Sequence, residues 1–65
     1  MKLQENNLKE FRKKHGISQE KLAEKTNVTR QTIISIENGK YVPSLPLALK
    51  FAKEFDCKVE DLFGI

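Results

Sequence analysis

The chain has 65 residues, a formal net charge of +3 and one cysteine. A chain of this length forms one small domain, here expected to span residues 1–65, and a single cysteine cannot make an intramolecular disulfide, which fits a reducing compartment. No apolar run approaches the roughly 20 residues that cross a bilayer, and no signal-peptide pattern opens the chain, so we expect a cytoplasmic protein with no membrane partner.

Basic residues are concentrated in the first two thirds of the chain. Eight lie between residues 9 and 40, whereas from Glu54 onward four acidic residues are accompanied by only one basic residue, Lys58. This asymmetry favours an anionic partner for the basic part. Charge on a small domain also maintains solubility, so the asymmetry alone does not decide between the two interpretations.

Five helical segments and no good strand can be read along the chain, which predicts an all-α, compact five-helix domain. The segments are expected at about 7–15, 18–25, 29–38, 44–55 and 58–63. Ser18, Thr29 and Ser44 stand at N-cap positions, and Gly16 is suited to end the first segment. Residues 1–4 are either a frayed end or a short terminal strand that pairs only in a dimer.

The apolar positions predict one core, and the fourth segment has a wider apolar surface than a small core usually needs. Connections of only a few residues are expected in such a compact bundle. The predicted core consists of Leu8, Phe11, Ile17, Leu22, Ala23, Val28, Ile33, Ile36, Leu45, Ala48, Phe51, Ala52, Phe55 and Val59.

Residues 18–38 contain two short amphipathic helical patterns that meet across a tight corner. Asn27 lies at the corner and tolerates positive φ better than most residues. Ala23 is small enough for two helices joined by so short a turn to approach closely. Each helix has an inward apolar pair, Leu22 with Ala23 and Ile33 with Ile36. The spacing therefore predicts a helix-turn-helix.

The second helix of this pair has side chains on its outer face that suit base edges. Arg can bind guanine O6 and N7, Gln can pair with adenine N6 and N7, and a β-branched side chain can contact a thymine methyl. A short helix that is fixed by its back face and exposes such groups is typical of major-groove reading. The alternative is ordinary solvated helix surface. The predicted base-contacting residues are Arg30, Gln31, Ile34 and Ser35.

Contacts to DNA phosphates are expected at the edges of this reading helix. The N-terminus of the preceding helix attracts anions through its free N–H groups and its dipole. Thr29 is also an N-cap, so capping competes with a phosphate contact there. The predicted phosphate-contacting residues are Gln19, Thr29, Thr32, Asn38 and Lys40.

The run from Leu8 to Phe63 resembles the helix-turn-helix domain of the phage repressor and Cro-type family of regulators. The residues that carry the resemblance are LKEFRKKHGISQEKLAEKTNVTRQTIISIENGK, VPSLPLALKFAKEF and VEDLF. The resemblance implies that Gln19 contacts phosphate, and that Arg30, Gln31 and Ser35 read bases. It also implies that Arg12 and Glu37 form a largely buried ion pair. Asn27 stands where the family often has glycine. The resemblance further implies a prokaryotic or phage-encoded protein.

We interpret the chain as a DNA-binding regulator, most simply a homodimeric repressor that binds a pseudo-palindromic operator in double-stranded DNA. Two reading helices about 34 Å apart would fit one DNA turn. The expected dimer interface is formed by Leu62, Phe63 and Ile65 at the chain end. Because the chain ends at Ile65, we expect no separate sensing domain.

Other function classes have weaker support in the sequence. Catalysis, a cofactor and a metal site are not expected. His15 is explained as a residue at a helix C-terminus and Cys57 as a structural or incidental thiol, and no Cys/His set has metal-ligand spacing. RNA binding is disfavoured because no aromatic stacking platform is visible. The serious alternative is an antitoxin-type or adaptor protein, whose main role would be to bind another protein.

Overall fold

The computed structural model describes residues 6–64, and its regular structure there is entirely helical. The helices are α1 Leu8–Lys14, α2 Gln19–Thr26, α3 Arg30–Glu37, α4 Leu45–Glu54 and α5 Val59–Phe63. This confirms the all-α, five-helix prediction and places each helix within two residues of its expected bounds. The predicted terminal strand and the proposed interface residue Ile65 lie outside the described residues.

Three helices begin at the serine and threonine caps that the sequence predicts. Ser18, Thr29 and Ser44 each accept a hydrogen bond from the backbone N–H three residues later. These bonds satisfy donors that the first turn of a helix leaves without a partner. The starts of α2, α3 and α4 are therefore determined by side chains within the helix ends themselves.

The segment before α1 connects three helices. The side chain of Asn6 accepts a hydrogen bond from the Leu8 N–H at 3.0 Å and donates one to the Ile36 carbonyl at 3.0 Å. Asn7 donates from its backbone to Leu62 at 2.7 Å and from its side chain to the Asp61 carbonyl at 3.1 Å. The start of α1 is thereby attached to the ends of α3 and α5.

The corner between α2 and α3 has the geometry that Asn27 predicts. Its φ of 60° and ψ of 42° lie in the left-handed region, where asparagine is among the few side chains that occur readily. The Val28 N–H bonds to the Ala23 carbonyl at 3.0 Å and closes the turn. The buried Thr26, which the sequence did not single out, donates its hydroxyl proton to the Leu22 carbonyl at 2.8 Å.

The core confirms most of the predicted apolar positions and corrects one of them. Leu45 is 66% exposed, whereas Leu47, absent from the predicted core, is 8% exposed. The reason is that α4 directs a single face inward, so Leu45 and Leu49, four residues apart, share an outer face instead. The buried apolar residues are Leu8, Leu22, Ala23, Ile33, Ile36, Leu47, Ala48, Phe51, Ala52, Phe55, Leu62 and Phe63.

The burial of Leu62 and Phe63 corrects the prediction that these two side chains form a dimer surface. They are 0% and 2% exposed within one chain. Helix α5 packs against α1 and α4, and its two large apolar side chains complete the core between them. Because their surface is already covered, neither side chain is available to a second molecule.

Candidate nucleic-acid interface

The back face of α3 is fully buried and its front is open to solvent. Ile33 and Ile36 are 0% exposed, so the helix cannot rotate about its axis without losing these contacts. Arg30 and Gln31 lie exposed on the outer side, and Ser35 is half-buried beside them. The structure therefore brings these three predicted base-contacting residues to one surface. Ile34 is half-buried and not fully exposed.

A largely buried ion pair joins α1 to the end of α3. Arg12 donates from Nε to Glu37 Oε2 at 2.7 Å and from Nη2 to Glu37 Oε1 at 3.4 Å. A third bond runs from Arg12 Nη1 to the Ile17 carbonyl at 3.0 Å. The two side chains are 11% and 2% exposed. Arg12 is thus a structural residue, because its donors are directed at the protein and not at solvent.

Gln19 lies between this ion pair and the start of α3. Its Nε2 donates to Glu37 Oε1 at 3.1 Å, and its Oε1 accepts from Arg30 Nε and Nη2 at 3.4 Å each. The amide orientation is determined by charge, since its N–H group faces a carboxylate and its oxygen faces a guanidinium. The sequence suggested only a phosphate contact for Gln19 and missed its contact with Arg30.

A shallow concavity of about 580 Å³ opens beside the N-terminus of α2. Arg12, Ser18, Gln19, Glu20 and Arg30 line it. The N-terminal N–H groups and positive dipole end of a helix favour an anion at such a position, and Arg30 adds an exposed positive charge. The predicted phosphate contact at Gln19 belongs to this concavity.

A second concavity, of about 290 Å³, lies along α3 and the start of the loop that follows it. Five of the six residues around it are predicted contact residues, and the sixth, Tyr41, was not predicted. Its lining consists of Thr29, Gln31, Thr32, Ser35, Lys40 and Tyr41.

Hydrogen bonds within the second concavity limit what its residues can offer a ligand. The Thr29 hydroxyl accepts from the Thr32 N–H and lies 3.0 Å from the Thr32 hydroxyl. Gln31 Nε2 is 3.4 Å from Ser35 Oγ, a long contact that a base edge can displace. Thr29 is therefore primarily a cap, whereas Gln31 remains available. Asn38 is exposed at the end of α3 and lines neither concavity.

Cys57 and His15 line neither of the two concavities. Burial, together with the nearby carboxylates of Asp61 and then Asp56, raises the pKa of the Cys57 thiol, which lowers its thiolate fraction at neutral pH. His15 Nδ1 is 2.9 Å from the Phe11 carbonyl oxygen, and its ring lies 4.9 Å from that of Phe55. Within residues 6–64 we find no cluster of three or more His, Cys, Asp and Glu residues suited to a metal ion.

Helices long and apolar enough to cross a membrane are absent from the part of the chain that the structure describes.

Comparison with known proteins gives a consistent result. A helix-turn-helix family model matches residues 8–62. "Uncharacterized HTH-type transcriptional regulator YgzD" of Bacillus subtilis is 58% identical over 60 residues, covering 92% of this chain and 91% of that protein. An HTH-type transcriptional regulator of Methanocaldococcus jannaschii is 59% identical over 58 residues, with coverage of 89% and 88%. Another, of Archaeoglobus fulgidus, is 54% identical over 56 residues, covering 86% and 80%. The chain belongs to the XRE-type helix-turn-helix family.

Proposed function

We propose that this protein is a sequence-specific DNA-binding regulator of transcription. It acts by binding and not by catalysis, as a homodimeric repressor that occupies a pseudo-palindromic operator through the major groove. Its relatives are named as transcriptional regulators of the same domain class. We place its action in the prokaryotic cytoplasm, where the DNA of such cells lies.

The observation that supports this proposal best is the fixed orientation of α3. Two fully buried isoleucines hold its back face, and the ion pair between Arg12 and Glu37 holds its end. A helix whose polar front is fixed before binding loses little conformational freedom when it enters a groove. This fixed geometry favours base reading by α3 over the alternative that its outer face is ordinary solvated helix surface.

The front of α3 divides base reading among four side chains. Arg30 is suited to the O6 and N7 acceptors of guanine, and Gln31 to the N6 and N7 positions of adenine. Ser35 offers a hydroxyl to either kind of base edge, and Ile34 an apolar contact to a thymine methyl. Because Arg30 is bonded to Gln19, its approach to guanine is constrained by α2.

The two concavities beside α3 receive the DNA backbone. A phosphate at the first interacts with Gln19 and the N-terminus of α2. A phosphate at the second interacts with Lys40 and, after displacing their mutual bond, with the hydroxyls of Thr29 and Thr32. Asn38 contributes from the end of α3. These contacts position the protein, whereas the base contacts specify the sequence.

Selection of bound sequences from a pool of random duplexes tests the proposal. We expect enrichment of a pseudo-palindrome whose half-sites are centred about 34 Å apart, one turn of DNA. Gln31→Ala, selected in parallel, is the control that links the enriched bases to α3. A pool that shows no enrichment for the wild-type protein would contradict sequence-specific binding.

A role in binding another protein is the second candidate, in the manner of an antitoxin or an adaptor. It is favoured by the exposure of Leu45 and Leu49 on the outer face of α4. Absence of an enriched palindrome in the selection experiment would favour this second role.

A further inference from the structure

Helix α3 ends in a turn that places two of the predicted phosphate-contacting residues. Gly39, with a φ of 74°, donates its backbone N–H to the Ile36 carbonyl at 3.0 Å, and the Lys40 N–H bonds to the Ser35 carbonyl at 2.8 Å. This pair of bonds defines a Schellman motif, in which a left-handed residue reverses the chain after a helix. The turn therefore determines where Asn38 and Lys40 lie relative to the front of α3.

A side chain from the segment before α1 reaches the same turn. Nδ2 of Asn6 donates to the Ile36 carbonyl at 3.0 Å, and this oxygen is also the acceptor of the Gly39 N–H. A carbonyl oxygen has two lone pairs, so it can accept both bonds at once. Carbonyls in the last turn of a helix have no partner within the helix itself. Asn6 therefore holds one of the two groups on which the Schellman turn is built.

The other half of the Asn6 amide connects this contact to the core. Oδ1 accepts from the Leu8 N–H at 3.0 Å, so the oxygen of the amide faces α1 while its NH2 group faces α3. The Leu8 side chain is fully buried, which fixes the start of α1. Asn6 thus ties the end of α3 to a rigid part of the molecule.

The neighbouring Asn7 makes equivalent bonds to a different helix. Its Nδ2 donates to the Asp61 carbonyl at 3.1 Å, and its backbone N–H donates to the Leu62 carbonyl at 2.7 Å. Both acceptors belong to α5, whose residues line neither concavity beside α3. Two adjacent asparagines therefore make the same kind of side-chain bond at nearly the same distance, one to α3 and the other to α5.

We propose that Asn6 is a positioning residue for DNA binding, which fixes the C-terminal end of α3 and the turn that carries Asn38 and Lys40. The proposal rests on the proposed function, in which these two residues contact phosphate while the front of α3 reads bases. The ion pair of Arg12 with Glu37 holds a side chain at this end of the helix, whereas Asn6 holds the backbone. The direction in which the chain leaves α3 depends on the backbone contact.

The expected size of the effect follows from the loss of one hydrogen bond. Such a bond typically changes an equilibrium by about fivefold. Without the Asn6 bond, we expect the turn after α3 to open more often in the free protein. DNA binding then has to restore the closed turn, which lowers the affinity by the fraction of molecules in which the turn is open.

The variant Asn6→Ser and its matched control Asn7→Ser test the proposal. Serine keeps an oxygen that can accept from the backbone N–H two residues later, but it has no NH2 group and is too short to reach the neighbouring helix. The control removes the equivalent side-chain bond to α5. Neither substitution changes the net charge, so the long-range attraction to DNA is the same in both variants.

Amide hydrogen exchange, followed by NMR, measures the turn in the free protein. In Asn6→Ser, we expect the Gly39 and Lys40 amides to exchange about fivefold faster relative to the Val28 amide, which closes the corner between α2 and α3. In Asn7→Ser, any change should be the same at all three amides. Equal acceleration of all three in Asn6→Ser would overturn the proposal, because it would indicate a general loss of stability.

Binding to duplexes of the selected sequence measures the consequence for DNA. We expect Asn6→Ser to bind about fivefold more weakly and with a shallower slope of log K against log salt, because the phosphate contact of Lys40 is misplaced. Asn7→Ser should bind within about twofold of the wild type and with an unchanged slope. Equal losses in the two variants, or no loss in Asn6→Ser, would overturn the proposal.

The two measurements distinguish failure of this proposal from failure of the proposed function. If the wild type prefers no duplex, DNA reading fails, and amide exchange at Gly39 and Lys40 still decides whether Asn6 fixes the turn. If the wild type selects a sequence and Asn6→Ser binds it as tightly, with the same salt slope, DNA reading holds and the positioning role of Asn6 is wrong.

Discussion

The helix-turn-helix of α2 and α3 exposes polar side chains to solvent, whereas the outer face of α4 exposes apolar ones. Around α3, Arg30 donates a hydrogen bond to Gln19, and Gln19 in turn donates one to the buried carboxylate of Glu37. On α4, Leu45 and Leu49 are exposed apolar groups. Base reading depends on direction, so its side chains need to be oriented, whereas hydrophobic contact is non-directional and needs only area.

The largest expected effect is a loss of stability on breaking the buried ion pair between Arg12 and Glu37, which holds the end of α3. Glu37→Gln leaves the Arg12 guanidinium buried without a counter-charge, so the free energy of unfolding is expected to fall by about 3–5 kcal/mol in urea denaturation. The control Glu24→Gln removes one charge from the ion pair of Glu24 with Lys21, in which the Glu24 side chain is 71% exposed and that of Lys21 54%. It should change the free energy of unfolding by less than about 0.5 kcal/mol. Equal effects would show that burial of the ion pair is irrelevant.

Gln31→Ala tests whether the polar face of α3, and not the apolar face of α4, determines base preference. We expect a loss of about 1–3 kcal/mol in discrimination at one base pair, measured by binding to duplexes that differ only there. Leu49→Ala, on the outer face of α4, should leave base preference unchanged. If Gln31→Ala weakened binding to every duplex equally, Gln31 would be a phosphate ligand instead.

Gln19→Ala tests whether the hydrogen bonds around α3 orient Arg30. Because Gln19 Oε1 accepts from the guanidinium, its removal should relax preference at the base that Arg30 reads, by about 1 kcal/mol. Its neighbour Glu20 lines the same concavity, and Glu20→Ala should strengthen binding to all sequences alike by removing a negative charge. A uniform loss for Gln19→Ala would leave Gln19 with a phosphate contact only.

Lys40→Ala has the smallest expected effect and concerns the edge of the reading surface. Loss of one phosphate contact should weaken binding uniformly and reduce the slope of log K against log salt by about 1. Lys53→Ala removes another exposed lysine, on α4, and should change that slope less. Identical slopes for Lys40→Ala and the wild type would exclude Lys40 from the interface.

Much of the fold was predictable because its signals are local. The caps at Ser18, Thr29 and Ser44, and the left-handed corner at Asn27, depend on atoms within a few residues of each other. The positive φ of 51° at Asp56 was not predicted, since aspartate gives a weaker turn signal than glycine. Tyr41 was missed because nothing in its local sequence connects it to the surface of α3.

The sequence by itself determined the helices, their starts and the outward direction of Arg30 and Gln31, since capping and helical periodicity act over one or two turns. Only the tertiary structure decided which leucines of α4 face solvent, why Leu62 and Phe63 are unavailable to a partner, and how Gln19 connects Glu37 to Arg30. Those outcomes depend on how helices distant in sequence pack together, and packing assigns each apolar or polar group its neighbours only when the whole core closes.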